Sequence, residues 1–301
     1  MNALKDAPDA REGPPAIKIL AAYLAISSVP AIFALADHRD DVALVHLAAF
    51  VIVAVVAVSR QTGAVVDWLP LVAIPFLYAE LPRLAVGGLH DGAVQRWESA
   101  VFGTSPAHTL AARWPNALFS ESVHAAYLSY YLIIYGPPIV LYLRGRLDTF
   151  RSTVAGLLAI FAICYTVFLV FPVAGPRYEW SAPPAVFDGP IRRLALRILA
   201  AGSSRGTAFP SSHVAVATVQ SILAFRWSVR AGLSLGALTS CLAVGAVYGG
   251  FHYGIDVLAG AGLGLAVGFA LLFAYRDPLV QPLSSISAPA HTLDESAGDA
   301  P

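Results

Sequence analysis

Long apolar stretches, separated by short polar ones, make up most of the chain. Eight of them approach the roughly 20 mostly apolar residues that a membrane-spanning helix needs. They cover approximately residues 16–36, 42–59, 65–86, 117–143, 151–172, 208–226, 230–248 and 253–275. The pattern therefore predicts an all-α integral membrane protein with about eight transmembrane helices.

Polar segments flank this apolar region at both ends. Residues 1–15 and 278–301 are rich in proline, alanine and charged or hydroxyl side chains, and such segments bury too little apolar surface to fold by themselves. We expect a disordered lead over 1–15, a single membrane domain over 16–277 with its catalytic core at about 65–275, and a disordered tail over 278–301.

Composition agrees with a membrane protein and indicates its orientation. The chain is 57% hydrophobic and 13% charged, whereas soluble domains have about 25% charged residues. Its net charge is zero, so nothing favours a nucleic-acid partner. Short basic connections, which hold Arg60, Arg144 to Arg151 and Arg226 to Arg230, predict cytoplasmic loops and termini. The loops at 87–116 and 173–207 would then face the periplasm or exterior of a bacterial-type inner or plasma membrane.

Both of these loops contain a short amphipathic stretch. Ile191 to Leu199 alternates basic and apolar faces at helical spacing, which predicts a helix lying in the membrane interface with its arginines near lipid headgroups. Gln95 to Gly103 predicts a second interfacial turn, anchored by Trp97.

Polar side chains stand where two of the apolar stretches begin. In Phe209 to His213, Pro210 suits the first turn of a helix, while Ser211 and Ser212 can cap free backbone N–H groups. The start of such a helix attracts anions, so this segment predicts a phosphate site. The ordinary alternative is a plain helix start with a solvated histidine.

The second segment contains His252 and Asp256, four residues apart and hence on one helical face. A carboxylate there can accept the proton of one ring nitrogen and leave the other nitrogen free to attack. Arg177 follows the fifth apolar stretch on the same side, and a guanidinium binds phosphate oxygens in bidentate fashion. A structural aspartate and an interfacial arginine are the alternative interpretations.

These three elements resemble a known family. In order and placement, Arg177, the Pro-Ser-x-His of 210–213 and the His-x-x-x-Asp of 252–256 resemble the three signatures of the type 2 phosphatidic acid phosphatase superfamily of lipid-phosphate enzymes, over about 117–275. The resemblance implies a six-helix lipid-phosphatase-like core plus two N-terminal helices. It also implies a mechanism through a phosphohistidine, without a metal or other cofactor.

The resemblance further implies a role for each matching residue. His252 would be the nucleophile and Asp256 its orienting partner. His213 would protonate the leaving oxygen and then activate the acceptor. Arg177 and Ser211 would hold the phosphate, with Ser212 and Arg205 as further phosphate-binding candidates.

Two cations of the family signatures are absent from this chain. The family's lysine seven residues before its arginine is Val170 here, and its Ser-Arg pair before the histidine is Gly245-Ala246. A phosphodiester has one negative charge and a monoester nearly two, so the reduced charge favours a diester. The pattern around 245–260, together with Glu98 to Pro106 and Tyr127 to Tyr131, resembles more loosely the branch with inositol phosphorylceramide synthase and, more distantly, sphingomyelin synthase.

The leading hypothesis is therefore a lipid phosphotransferase that moves an inositol-phosphate-like headgroup from a phospholipid donor to a lipid alcohol. With water as the acceptor, it would be a phosphatase of phosphatidate or polyprenyl (pyro)phosphate. A proton-coupled transporter is a remote alternative, as is a metal-dependent hydrolase. Besides these partners, we expect only bilayer lipids.

Several other ionisable or polar groups lie near the predicted membrane. Four of them are expected to line a headgroup cavity: Glu98, Glu121, His124 and Tyr253. Glu80 and Arg83 are expected to neutralise each other. His46 is expected to be a satisfied interior histidine.

Overall fold

A computed structural model of the protein describes residues 14–36, 40–180 and 189–274, most of which are helical. The helices are α1 (Pro15–Ala36), α2 (Asp40–Val58), α3 (Ala64–Leu84), α4 (Asp91–Phe102), α5 (Pro106–Arg113), α6 (Ala117–Leu128), α7 (Tyr130–Leu143), α8 (Leu147–Val170), α9 (Pro176–Glu179), α10 (Pro190–Gly202), α11 (Ser212–Ala224), α12 (Val229–Tyr248) and α13 (Gly254–Ala274). The predicted all-α fold is confirmed. The predicted tail over 278–301 lies outside the described residues, as does nearly all of the lead over 1–15.

The apolar stretches of the sequence all became helices. Six are long and apolar enough to cross a membrane, namely α1, α2, α3, α8, α12 and α13. Helices α6 and α7 form a broken seventh candidate, bent by 40°, and α11 is a shorter apolar helix. The break falls at Ser129, whereas Pro137 and Pro138 lie inside α7. The chain is thus an integral membrane protein.

Helix α8 is the centre of the bundle. Helices α1, α3, α7, α11 and α13 all pack against it. Every residue from Ser152 to Leu158 is buried, and seven consecutive positions cover all sides of a helix. A helix that is apolar all round is expected to be enclosed by others, and this one is.

The α1–α2 hairpin packs beside α3 and is joined to it by a hydrogen bond and an ion pair. His46 Nδ1 donates to Glu80 Oε1 at 2.8 Å, and Arg83 pairs with Asp41 at 2.9 Å. The expectation that Glu80 and Arg83 neutralise each other is therefore wrong, because each has a partner on α2. His46 is fully buried and also lies 3.1 Å from Ser27 Oγ on α1, which confirms a satisfied interior histidine.

Helices α11 and α13 approach each other closely because one face of α13 is lined with glycine. Gly260, Gly264 and Gly268 recur every four residues, and a Cβ on Gly264 would lie 2.6 Å from the Ala215 carbonyl oxygen. Small residues permit such close contact between membrane helices. The contact places the two helix starts side by side, where the Asp256 carbonyl accepts a 2.9 Å hydrogen bond from a backbone N–H of the loop before α11.

We expect Gly264→Ala to destabilise the protein, because the added methyl group must push α13 away from the α11 backbone. Overpacking of this kind typically costs about 1–3 kcal/mol. Gly262→Ala is the matched control, since its Cβ would meet nothing within 4 Å. Thermal unfolding of the purified variants in detergent measures the difference. Equal midpoints for the two variants would contradict the close contact.

The predicted interfacial stretches are also helical. Helix α10 includes all of the predicted 191–199 stretch. Its start is fixed by Glu121, whose two carboxylate oxygens accept hydrogen bonds from Ile191 N and Arg192 N at 2.8 and 2.9 Å. The predicted turn at 95–103 is the larger part of α4, where Trp97 stacks on Phe171 with ring centroids 5.8 Å apart. Their position relative to the membrane surface stays a prediction.

Candidate active site

Three chain segments meet at one end of the helix bundle. These are the segment after α8, the loop before α11 and the turn before α13. Backbone hydrogen bonds join the first two, from Val173 N to Gly206 O at 3.2 Å and from Ala208 N to Val173 O at 2.9 Å. The junction brings Arg177, His213 and His252 to the wall of one cavity of about 330 Å³, although they are far apart in the sequence.

The ring of His252 is held with one nitrogen free. Its Nδ1 donates to the Ala208 carbonyl at 2.9 Å. Because a carbonyl oxygen only accepts hydrogen bonds, Nδ1 must be the protonated nitrogen. The lone pair of Nε2 is then available for attack on an electrophile.

Asp256 lies beside this ring, but it is not the direct acceptor that the sequence predicted. Its Oδ2 is 3.6 Å from His252 Nδ1 and accepts a 2.8 Å hydrogen bond from Tyr253 N. This bond caps the start of α13 in the manner of a capping box. His252 itself precedes the helix, and the proton on its ring is bound by Ala208 instead. The fully buried carboxylate is still close enough to stabilise a positive charge on the ring.

Two tyrosines flank the ring of His213. Tyr127 stacks on it at 5.1 Å and 22°, and Tyr130 lies 4.1 Å away at 36°. The Tyr127 hydroxyl is 3.2 Å from His213 Nε2, whereas Nδ1 is buried and has no partner among the described residues. The ring of His252 is 5.6 Å away. A group able to donate or accept a proton therefore lies beside the ring of His252.

The start of α11 differs slightly from the prediction. Ser211 is the N-cap, and its hydroxyl accepts a hydrogen bond from Val214 N at 3.4 Å. Pro210 precedes the cap, so it does not occupy the first helical turn. Ser212 lines the cavity, whereas Ser211 is fully buried outside it. Of the two serines, Ser212 is the one placed to meet a ligand.

Arg177 provides a cationic group with a free nitrogen. Its guanidinium lies 4.8 Å from the Tyr178 ring centroid, and its Nη1 is buried without a hydrogen-bond partner in the described parts of the chain. Buried polar atoms are nearly always paired, and an anion in the cavity would satisfy this one. Arg205 lies over the same ring at 5.8 Å, but it is exposed and does not line the cavity.

At Val170 and Ala246, where the family signatures have basic residues, the surroundings do not bring another cation into the cavity. Ala246 is fully buried in an apolar cluster with Tyr127 and Phe251. A Cβ on the neighbouring Gly245 would clash with the Val123 carbonyl oxygen, so this face of α12 has no room for longer side chains. Val170 is exposed on the outside of the bundle. Among the described lysines and arginines, only Arg177 lines the cavity.

Two of the expected cavity residues serve as helix caps instead. Glu98 Oε2 accepts a hydrogen bond from Ile255 N at 2.9 Å, which satisfies a free N–H at the start of α13. Glu121 does the same for α10. Both carboxylates are bound to backbone groups far away in the sequence, and neither lines the cavity.

The other two expected cavity residues also lie outside it. His124 is buried, and its Nδ1 donates to the carbonyl of Ser120 at 2.6 Å. Tyr253 is fully buried on the opposite side of its turn from the cavity residue His252, and Gln95 donates a 3.0 Å hydrogen bond to its hydroxyl. The Nδ1 of His124 and the hydroxyl of Tyr253 thus bond to groups of the protein interior and not to the cavity.

The sequence did not indicate Asp91, the first residue of α4. Its Oδ2 accepts a 2.9 Å hydrogen bond from Ala174 N. Its Oδ1 accepts one from Gly175 N at 2.9 Å and one from the Tyr253 hydroxyl at 3.2 Å. One buried carboxylate thus joins the segment that leads to Arg177 with the turn before α13. Asp91 is in no motif, so only the folded structure reveals it.

The described residues contain no group of three or more His, Cys, Asp or Glu side chains placed to hold one metal ion. His213, His252 and Asp256 are close together, but each has the separate contacts described above.

The fold and the cavity define an all-helical membrane protein whose polar site lies at one end of its bundle. A family model described as the PAP2 superfamily matches residues 93–271. This match covers more than half of the chain, and the chain belongs to that superfamily. No curated protein and no solved structure matches it. Membership supports a phosphatase-type or phosphotransferase-type enzyme for lipid phosphates of the bilayer.

Proposed function

We propose that the protein is a membrane lipid phosphotransferase that works through a phosphohistidine. It would move a phospho-headgroup from a phospholipid to a lipid alcohol. The observation that carries this proposal is the charge of the cavity, where Arg177 is the one lysine or arginine among the described lining residues.

The charge matters because a transition state is stabilised by cations that match its own charge. A phosphate monoester brings nearly two negative charges and a diester brings one. Arg177 supplies one permanent positive charge, which matches the single negative charge of a diester, such as the linkage between a phospholipid headgroup and its glycerol. Packing around Ala246 and Gly245 leaves no space for a further basic side chain at those positions.

The first step forms a bond between phosphorus and His252 Nε2. The Nε2 lone pair attacks the phosphodiester, and the bond from phosphorus to the glycerol oxygen breaks. That oxygen takes a proton from His213, so that a neutral diacylglycerol-like alcohol leaves. Asp256, 3.6 Å from the other ring nitrogen, stabilises the positive charge that develops on His252, while Arg177 binds the phosphate oxygens.

The second step reverses the roles of the two histidines. The neutral His213 takes the proton of the acceptor hydroxyl, whose oxygen attacks phosphorus while the P–N bond breaks. His252 is regenerated with its proton on Nδ1, and the headgroup phosphate is now on the acceptor. The proton gained in this step is the one that His213 needs for the next turnover.

A lipid alcohol is favoured over water as the acceptor by the lining of the cavity. Beyond its polar end, the wall is aromatic and aliphatic and includes six tyrosines: Tyr78, Tyr127, Tyr130, Tyr131, Tyr135 and Tyr165. Helix α10 covers part of this wall with Ile198 and Leu199. The inositol-phosphate-like headgroup is supported by the looser resemblance to the inositol phosphorylceramide synthase branch.

Purified protein with defined lipids tests the proposal. We expect a headgroup-labelled phosphoinositide to transfer its label to an added long-chain alcohol lipid such as a ceramide, with little release of inorganic phosphate or free inositol phosphate. Turnover should persist with a chelator, because the proposed steps use no metal. Phosphate release from phosphatidate, without transfer in the presence of any alcohol lipid, would show a phosphatase instead.

Asp91 is proposed as a positioning residue for this reaction. In Asp91→Asn, one carboxylate oxygen becomes an NH₂ group that faces a backbone N–H donor, so at least one hydrogen bond to the segment before Arg177 is lost. We expect kcat/KM for the lipid donor to fall by about 10- to 100-fold, in line with a loss of about 1.5–3 kcal/mol for a hydrogen bond to a charged group.

The control for this variant is Asp148→Asn, at an exposed carboxylate at the start of α8. A purely structural role would lower the thermal midpoint of Asp91→Asn and leave the kinetics of its folded fraction unchanged. The proposal instead requires a higher KM or a lower kcat in protein that remains folded.

A further inference from the structure

The two ring nitrogens of His213 have different surroundings. Nε2 lies 3.2 Å from the Tyr127 hydroxyl, whereas Nδ1 is buried and has no hydrogen-bond partner among the described residues. The hydrogen bond at one nitrogen of a histidine determines what the other nitrogen can do. Because the ring lines the cavity, Nδ1 is the nitrogen that is left for a ligand.

The ring of Tyr127 is fixed by two aromatic neighbours. Its centroid lies 4.6 Å from that of Phe251 and 5.1 Å from that of His213. Ala246 completes the buried cluster around Tyr127 and Phe251, at the position where the family signature has an arginine. Its small side chain leaves this space to the tyrosine. Since a close-packed interior restricts rotation of such a ring, the hydroxyl of Tyr127 is held near Nε2.

This hydroxyl also determines where the proton of a neutral His213 lies, since a tyrosine hydroxyl can donate or accept a hydrogen bond. If it donates to Nε2, the ring proton is on Nδ1, and among the described residues only this N–H group lacks a partner. If it accepts from Nε2, both its own proton and the Nδ1 lone pair lack one. Unpaired buried polar groups are costly, so the first arrangement is favoured in the ligand-free protein.

From these contacts we propose that Tyr127 is a positioning residue for proton transfer. It binds Nε2 of His213 and thereby makes Nδ1 the nitrogen that exchanges a proton with the donor lipid and then with the acceptor. This inference rests on the proposed function for the acid–base role of His213. It adds a residue of α6 to the site and assigns the exchange to one atom.

The protons balance over the two steps. In the first step His213 is a cation, with its Nδ1 proton facing the glycerol oxygen and its Nε2 proton donated to the Tyr127 oxygen. The Nδ1 proton passes to the glycerol oxygen as the P–O bond breaks, which leaves a neutral ring with its proton on Nε2. In the second step the Nδ1 lone pair takes the proton of the acceptor hydroxyl as the P–N bond breaks. Tyr127 keeps its own proton throughout.

Tyr127→Phe tests the proposal, because it keeps the ring and removes only the hydroxyl. We expect kcat for headgroup transfer from a phospholipid to fall about 10-fold, since a poorly oriented acid protonates the leaving oxygen less well. KM should change less than 2-fold. A p-nitrophenyl phosphodiester with the same headgroup has a leaving group that needs no proton. Its single-turnover release of p-nitrophenolate should therefore fall less than 2-fold.

Tyr142→Phe is the matched control for these rates. Tyr142 is also on α7 beyond the cavity lining, where its ring packs against Trp68 at 5.2 Å, and its variant should change none of them. An equal loss on both donors in Tyr127→Phe, or no loss on the phospholipid, would overturn the proposal.

Nitrogen NMR separates this inference from the proposed reaction, because it needs no turnover. In protein with ¹⁵N-labelled histidine, the shifts of a neutral ring show which nitrogen has the proton, and His213→Ala assigns the signals. We expect the proton of neutral His213 on Nδ1 in the unmodified protein and in Tyr130→Phe, whose ring also lies 4.1 Å from His213. Tyr127→Phe should lose this preference. A proton on Nε2 in the unmodified protein would sink the inference, even if transfer is observed. A proton on Nδ1 in a protein that transfers no headgroup would uphold the Tyr127 contact and reject the reaction.

Discussion

His252→Ala should abolish turnover, with a decrease of about 10⁴-fold or more, as is usual when a nucleophile is removed. His252 is the residue in the cavity whose ring nitrogen is held free by a hydrogen bond on the opposite side of the ring, from Nδ1 to Ala208 O. Without it, no P–N bond can form. Quenching of the unmodified protein with ³²P-labelled donor in alkaline detergent should trap a phosphoprotein that is stable in alkali, loses its label in acid and is not formed by the variant.

The control for this result is His108→Ala. His108 is on α5 at the same end of the molecule, and it contacts Trp180 at 5.1 Å without lining the cavity. It should retain turnover and the labelled intermediate. Full activity in His252→Ala would show that the nucleophile lies elsewhere.

Arg177→Gln should have the second-largest effect, a decrease in kcat/KM of about 10²–10³-fold, as is typical when a charge-stabilising group is removed. The loss should be large because no other described lysine or arginine lines the cavity. Arg177→Lys should recover only part of the rate, since an ammonium group keeps the charge but lacks the bidentate geometry. Steady-state kinetics on the phosphodiester donor measures both.

Variants of two further arginines serve as comparisons for this prediction. Arg113→Gln alters an exposed side chain of α5 and should leave the rate unchanged. Arg205→Gln reports on the second cation near Tyr178. A loss as large as that of Arg177→Gln would mean that Arg205 also reaches the phosphate, and would weaken the case for a singly charged substrate.

Much of the fold follows from local sequence, since apolar stretches of about 20 residues have few alternatives to helices in a membrane. The position of the break between α6 and α7 was harder to predict from the sequence. Pro137 and Pro138 suggested an irregularity, yet both lie inside α7, and the break is at Ser129. There Tyr127 and Tyr130 both contact His213, so the bend follows the packing at the site rather than proline content.

The central site residues could be predicted because their motifs mark helix starts. Arg177, Ser212, His213 and His252 line the cavity together, with Asp256 adjacent. Their roles remain proposals. Ser211 and Arg205, by contrast, are close in sequence to the cavity residues without lining it.

The remaining differences concern partners that are distant in the sequence. Glu98 and Glu121 were expected at the cavity because they are carboxylates near a helix end. Each instead binds backbone N–H groups of residues at least 70 positions later in the chain. Asp91 joins two loops in the same way. Such contacts have no local signal, because only tertiary packing determines which N–H groups a buried carboxylate meets.

The hydrogen bond between His46 and Glu80 connects the α1–α2 hairpin to α3. The superfamily match starts at residue 93, so this pair and the whole of α3 precede it. The two histidines of the cavity lie in one part of the chain, whereas α3, which lines the cavity with Ile74 and Tyr78, lies in another. Substitutions in the hairpin can therefore alter the α3 wall of the cavity without changing either histidine.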